Sequence, residues 1–136
     1  IAATNRPDII DNAMLRPGRL DKLLYVPLPT KDDRLSILKT ICRDKPINDD
    51  VDLKIIAHSD RCQGFSGADL SMLLREASVL AIKRTEDDDD ELMINMDDFK
   101  KALKKVFPSV SKEDEISYVK LQKSLKKSRA HIEKDE

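Results

Sequence analysis

Two arginines, Arg16 and Arg19, stand on either side of Pro17-Gly18 in the stretch LRPGRLD, and no carboxylate lies between them. A guanidinium is always charged and presents a planar fork of donors that suits phosphate or carboxylate oxygens. Nothing within the stretch is expected to pair with either arginine, so by residue type they read as solvated loop charge or as an anion grip. Asn5 follows the apolar run Ile1–Ala3. It reads as a turn asparagine or as a polar group at the end of a buried strand, where α/β proteins place ligand-facing residues. Ser66-Gly67-Ala68-Asp69 opens a helix without bulk in its first turn. That is a plain capping box or a helix end that a flat ligand or anion can approach closely.

Other polar clusters carry less chemistry. The acidic run TEDDDDE, Thr85 to Glu91, has neither the alternating ligand positions nor the central glycine of a calcium loop, and it reads as a solvated loop between helices. His58 and His131 lack cysteine or carboxylate partners at metal spacing, and His58 reads as a helix-end residue. No metal site is expected. The sequence has no GxxxxGK[ST] loop, no apolar strand ending in paired acids, and no evident Ser-His-Asp or Cys-His arrangement. Taken alone, the chain is not expected to hydrolyse a nucleotide.

These residues need elements to hold them. The chain has 136 residues, enough for one domain or a little more. Apolar residues make up 40% and aromatic residues 4%, so a core must rest on Leu, Ile, Val and Ala, which suits packed helices. The formal charge of -1 comes from 25 basic and 26 acidic residues and gives no reason to expect nucleic acid or an anionic membrane as the main partner. No apolar run approaches the ~18 residues of a membrane span, and no signal-peptide pattern appears. Cys42 and Cys62 lack CxxC spacing, which points to a reduced intracellular compartment. The chain opens at Ile1 inside an apolar run, and a piece of a longer polypeptide is expected.

Four helix starts share one spacing: Thr30 and Asp33, Ser66 and Asp69, Asn95 and Asp98, Ser111 and Asp114. Each resembles a capping box, with Asp in place of the more usual Glu or Gln. Apolar residues at helical spacing follow each start. Leu35, Leu38, Ile41 and Cys42 follow the first; Leu70, Leu73, Leu74, Ala77, Leu80 and Ala81 the second; Phe99, Leu103 and Val106 the third; Ile116, Val119, Leu121 and Leu125 the fourth. A short helix is expected near Asp52 to His58. The stretch DIIDNAML could form one or two helical turns, and KLLYVPLP, from Lys22 to Pro29, reads as a strand at an edge or domain exit. The fold class is therefore mainly α: a four- to five-helix bundle over residues 30–125, preceded by a strand-loop-strand remnant over 1–29 and followed by a charged tail over 126–136.

The motifs ATNRP, LRPGR, LPTKDDRLSIL, FSGADLSMLLREASVLAIKR, MDDFKKAL and PSV, in this order and spacing, resemble the C-terminal half of an AAA-type ATPase module. The resemblance covers residues 1 to about 125. It implies that residues 1–29 end an α/β ATPase core and that the helices are its lid. It implies that Asn5 is the sensor-1 asparagine, that Arg16 and Arg19 reach as fingers into the adjacent subunit, and that Ile37, Gly67 and Ala68 face adenine. ATP and Mg²⁺ are the implied cofactors, held mainly by residues upstream of this sequence. Implied partners are the neighbouring subunits of a homohexamer and a pre-ribosomal or other protein substrate, with no membrane and no sequence-specific nucleic acid.

Within the family, the chain is similar to the second ATPase module of the nuclear valosin-containing-protein-like proteins. That similarity implies a nuclear or nucleolar ATPase remodelling large ribosomal subunits. Valosin-containing protein and the proteasomal unfoldases share the shorter motifs and remain alternatives. So does a helical interaction module without an ATPase role. One departure is Asn12, where relatives often carry proline.

Overall fold

The structure is a computed structural model that describes residues 1–4, 6, 9–15, 18–20, 24–87, 92–120 and 123. The chain divides into two compact units, Pro27–Glu115 and a second made of Ile1–Val26 with Ile116–Glu136.

The larger unit is helical. Helix α1 spans Lys31–Cys42, α2 Leu53–His58, α3 Gly67–Asp87 and α4 Met96–Lys105. Residues 112–120 are helical as well. Each of the four expected capping boxes forms. At α1, Thr30 accepts from the Asp33 amide while Asp33 accepts from the Thr30 amide and hydroxyl. The same reciprocal bonds join Ser66 to Asp69, Asn95 to Asp98 and Ser111 to Asp114. Asp52 caps α2 by accepting from the amides of Lys54 and Ile55. Aspartate thus closes all four boxes, although its side chain is one methylene shorter than that of the usual glutamate.

The core rests mostly on aliphatic side chains, as the composition predicts, with Phe65 and Phe99 its largest fully buried members. Leu38 and Cys42 of α1, Ile56 and Ala57 of α2, Leu70, Leu73, Leu74, Ala77 and Ala81 of α3, and Phe99 and Ala102 of α4 are buried together. Helix α3 packs against α4 and α1, and α1 packs against α2. Val106, just past the end of α4, belongs to the cluster at the expected helical spacing, and Cys62, Phe65 and Ile94 join it from between the α-helices. Helical periodicity could not find these last three, because Cys62 ends a three-residue 3₁₀ helix, Phe65 lies in the connection to α3 and Ile94 in an isolated β-bridge. A parallel bridge between Ile47 and Ile94 ties the α1–α2 connection to the residues leading into α4. The Asp50 carboxylate adds to this tie by accepting from the Met96 amide.

Two expectations about element ends are corrected. Helix α3 runs to Asp87, so Thr85, Glu86 and Asp87 are helical rather than part of a loop, and the Thr85 hydroxyl bonds the Ala81 carbonyl; residues 88–91 lie outside the described residues. Ile116 and Val119 are exposed rather than core. A helical apolar stripe buries only against a facing element, and spacing cannot supply one. Leu121, Leu125 and the tail 126–136 lie outside the described residues.

The second unit is locally turned. A 3₁₀ helix covers Asn12–Leu15, within the stretch expected to turn once or twice. Asp11 starts it by accepting from Ala13, and the Leu20 amide returns to the Met14 carbonyl. Gly18 has φ +85°, a left-handed conformation that favours glycine in this turn. Among the described residues no paired strand forms in the first 29 residues, as expected of strands that lack the rest of a sheet. Leu24 and Val26 are exposed, and a strand needs a neighbour to pair with.

Candidate functional site

The seven-residue arginine stretch belongs to the smaller unit. Asn5 and Arg16 lie outside the described residues. Arg19 is exposed, and its Nη1 donates to the Ala13 carbonyl at 3.1 Å. The carbonyl it meets lies six residues back, in the 3₁₀ turn and outside the stretch Leu15–Asp21 within which no partner is expected. The bond uses one of five guanidinium donors, so most of the fork still faces water.

The other candidate residues lie in the larger unit. Ile37, on α1, is half-buried and packs on the edge of the core. Gly67 and Ala68 form the exposed first turn of α3. A methyl group added at Gly67 would meet nothing within 4 Å. The helix start is therefore open, as a surface meant for close approach requires. Two shallow clefts open elsewhere, one between α1 and residues 49–54 and one along α4 beside Arg61, and neither is lined by Ile37, Gly67 or Ala68.

Directly beneath the open turn, Asp69 is 3% exposed. Its Oδ2 accepts from the amide and hydroxyl of Ser66, each at 2.8 Å, and from the amide and hydroxyl of Ser109 at 3.3 and 3.1 Å. Burial pushes the Asp69 carboxyl up, but the bonds from Ser66 and Ser109 together outweigh it and hold it below the ordinary carboxylate value. The site thus keeps a charged aspartate at neutral pH. Asp98, 1% exposed, plays a similar part at α4, where Arg84 reaches its Oδ2 at 3.4 Å and donates to the Met93 carbonyl at 2.8 Å.

Two contributors were not singled out by sequence. Arg34 is buried, and its Nε donates to the Ala57 carbonyl at 2.9 Å in the last turn of α2. Its one signal was position: four residues before Leu38, on the buried face of α1. Ser109 follows Pro108 in a short motif that had no role assigned. The cysteines are free and buried. Burial pushes the Cys62 thiol up to about 11, against a smaller opposing pull from Arg34, so neither cysteine presents a reactive thiolate. His58 ends α2, with Nε2 3.4 Å from the Asp32 carboxylate of α1.

Residues 50–101 match the AAA+ lid domain family. This chain carries an AAA+ lid. Its sequence is 53% identical over 131 residues to the ribosome biogenesis ATPase nvl of Dictyostelium discoideum, covering 95% of the chain and 15% of that protein. It is 48% identical over 134 residues to the mouse nuclear valosin-containing protein-like, covering 92% and 16%. The cell division cycle protein 48 homolog of Archaeoglobus fulgidus is 46% identical over 131 residues, covering 89% and 18%. The chain thus spans less than a fifth of the length of these relatives. The lid match takes in Asp52 to Phe99, hence α2, α3 and the start of α4. The alignments run further, into the residues before Pro27.

Proposed function

We propose that this lid works within a longer AAA-type ATPase that couples ATP hydrolysis to the remodelling of ribonucleoprotein assemblies in large ribosomal subunit biogenesis. The observation that carries the reading is the extent of similarity. An alignment covering 95% of the chain reaches beyond the lid into the segment that holds LRPGR.

On this reading Gly67, Ala68 and Ile37 contact adenine. The fit rests on the open first turn of α3, where a Cβ at Gly67 would enter empty space. The phosphates and Mg²⁺ are assigned to residues outside this sequence, which carries no GxxxxGK[ST] loop. Bound nucleotide supplies the phosphoanhydride whose hydrolysis drives the motion. Asn5 orients the water and the terminal phosphate. Arg16 and Arg19 neutralise charge on the nucleotide of the neighbouring subunit in a homohexamer. The nucleus, with its nucleolus, is the proposed place of work, a reading supported by the likeness to the mouse nuclear valosin-containing protein-like.

The test uses the full-length protein. Arginine fingers in other phosphoryl-transfer enzymes are worth about 10³–10⁵ in rate. Arg16→Ala and Arg19→Ala should each cut ATP turnover severely in assembled hexamers. Mixing either variant with a subunit lacking its phosphate-binding lysine should restore part of the rate, at interfaces that pair an intact finger with an intact pocket. Wild-type turnover in both variants would return these arginines to solvated loop charge. For the substrate, depletion of the protein should lower the ratio of large to small ribosomal subunits in sucrose gradients. An unchanged ratio would move the substrate to another protein class.

A further inference from the structure

Of the four capping-box aspartates, Asp33 and Asp114 bond only their own N-cap residue among the described residues, and Asp98 meets the long side chain of Arg84. Asp69 alone receives a backbone amide and a hydroxyl from a residue 40 positions away. The segment that carries Ser109 is anchored independently. Val106 before it is buried, and Ser111 after it caps the helix over residues 112–120. Pro108 lies over the turn at Gly64, whose φ is +80°; a Cβ at Gly64 would stand 3.8 Å from the Pro108 ring. The strap 107–111 therefore crosses the loop that feeds α3.

Two facts separate orientation from simple adhesion. The Ser66 bonds already complete the capping box, so α3 does not need Ser109 in order to start. Val106 is already buried in the core, so the start of the strap is seated without Asp69. What the Ser109 bonds add is a fixed relation between the strap and the first turn of α3. Gly67 and Ala68 are that first turn; the Ser71 hydroxyl bonds the Gly67 carbonyl from within α3, and the Ser109 bonds join the turn to a segment outside the helix.

We propose that Ser109 is a positioning residue for nucleotide binding: through Asp69 it holds the Gly67–Ala68 turn in the orientation that adenine meets. The inference rests on the reading that this turn faces adenine. The backbone of the turn is the contact surface, so a shift of a few tenths of an ångström there is felt by a flat ring packed on it. The Ser109 hydroxyl is one of the two donors that span the gap, and Ala keeps only the amide.

The experiment measures KM for ATP, kcat and Tm in the full-length protein for Ser109→Ala, Ser109→Thr, Ser111→Ala and Gly67→Leu. A hydrogen bond to a charged group, lost in part to binding, corresponds to about a 5- to 10-fold rise in KM. Ser109→Ala should show that rise with a much smaller change in kcat. Ser109→Thr keeps the hydroxyl at an exposed position and should restore KM. Ser111→Ala removes a hydroxyl–carboxylate bond of the same kind, to Asp114, and should leave KM at the wild-type value. A KM within twofold of wild type for Ser109→Ala overturns the inference. So does an equal rise in Ser111→Ala, which would report loosening of the whole end, or a failure of Ser109→Thr to rescue. Gly67→Leu separates the two levels. If it leaves KM unchanged, the adenine-facing reading itself fails. If it raises KM while Ser109→Ala does not, that reading stands and the role of Ser109 falls. Should Ser109→Ala fail to assemble, Asp69→Asn tests the same link, with unchanged KM overturning it.

Discussion

Leu74 and Lys83 sit on the same helix and differ in what a truncation would expose. Leu74 is buried against the core, whereas Lys83 is exposed. Leu74→Ala leaves a cavity and should destabilise the bundle by roughly 2–5 kcal/mol. Lys83→Ala should fall within about 0.5 kcal/mol of wild type. Urea titration of both variants checks the assignment, and equal midpoints would overturn it. Asp69 makes a second residue-scale prediction. Its carboxyl is held below the ordinary value of 3.8, so it binds a proton less readily folded than unfolded. Its stabilisation is therefore present above that value and is lost as the pH falls below it. Thermal melts over a pH series should show Asp69→Asn less stable than wild type at pH 7, with the gap narrowing in the acid range. A gap that does not change with pH would mean that the charge of Asp69 contributes nothing.

At the scale of elements, the capping boxes divide by what lies beyond them. At α1 and at the helix over residues 112–120, the aspartate bonds its own N-cap residue and no other among the described residues. At α3 and α4 the same aspartate also receives a distant donor, so the cap and the tertiary contact share one carboxylate. Asn95→Ala should therefore cost about 1 kcal/mol through the lost cap bond, the usual size for such a change. Its effect should extend beyond the local helix end, because Asp98 also holds Arg84. Hydrogen exchange should quicken at the amides of α4 and at Ile94, whose amide bonds Pro46. Quickening confined to residues 95–98 would show the two roles of Asp98 to be independent.

For the whole molecule, the two units differ in what holds them. Pro27–Glu115 has a continuous apolar core. In the first 26 residues, the described part has a single turn of 3₁₀ helix and leaves Ile1, Ile9, Leu24 and Val26 exposed. In this chain on its own, amides around Leu70 to Leu80 should exchange slowest and those of residues 1–26 fast, as measured by mass spectrometry. Uniformly slow exchange would show that the first 26 residues share the core of the bundle.

Periodicity and capping chemistry determined, from sequence alone, that α1, α3 and α4 exist, where they start and which face they bury. Both signals are local: an N-cap bonds within three residues, and a helical face repeats every three or four. The motifs likewise marked the family, because residue identity at fixed spacing survives without coordinates. Three features depended on the tertiary structure. Cys62, Phe65 and Ile94 join the core from the short connections between α-helices, where no period announces burial. Ile116 and Val119 are exposed although they keep a helical stripe, because burial depends on a facing element. Asp69 and Ser109, 40 residues apart, share a carboxylate oxygen that no spacing rule connects. Chain folding decided that meeting, and with it which of four similar aspartates joins its helix start to another segment through a serine.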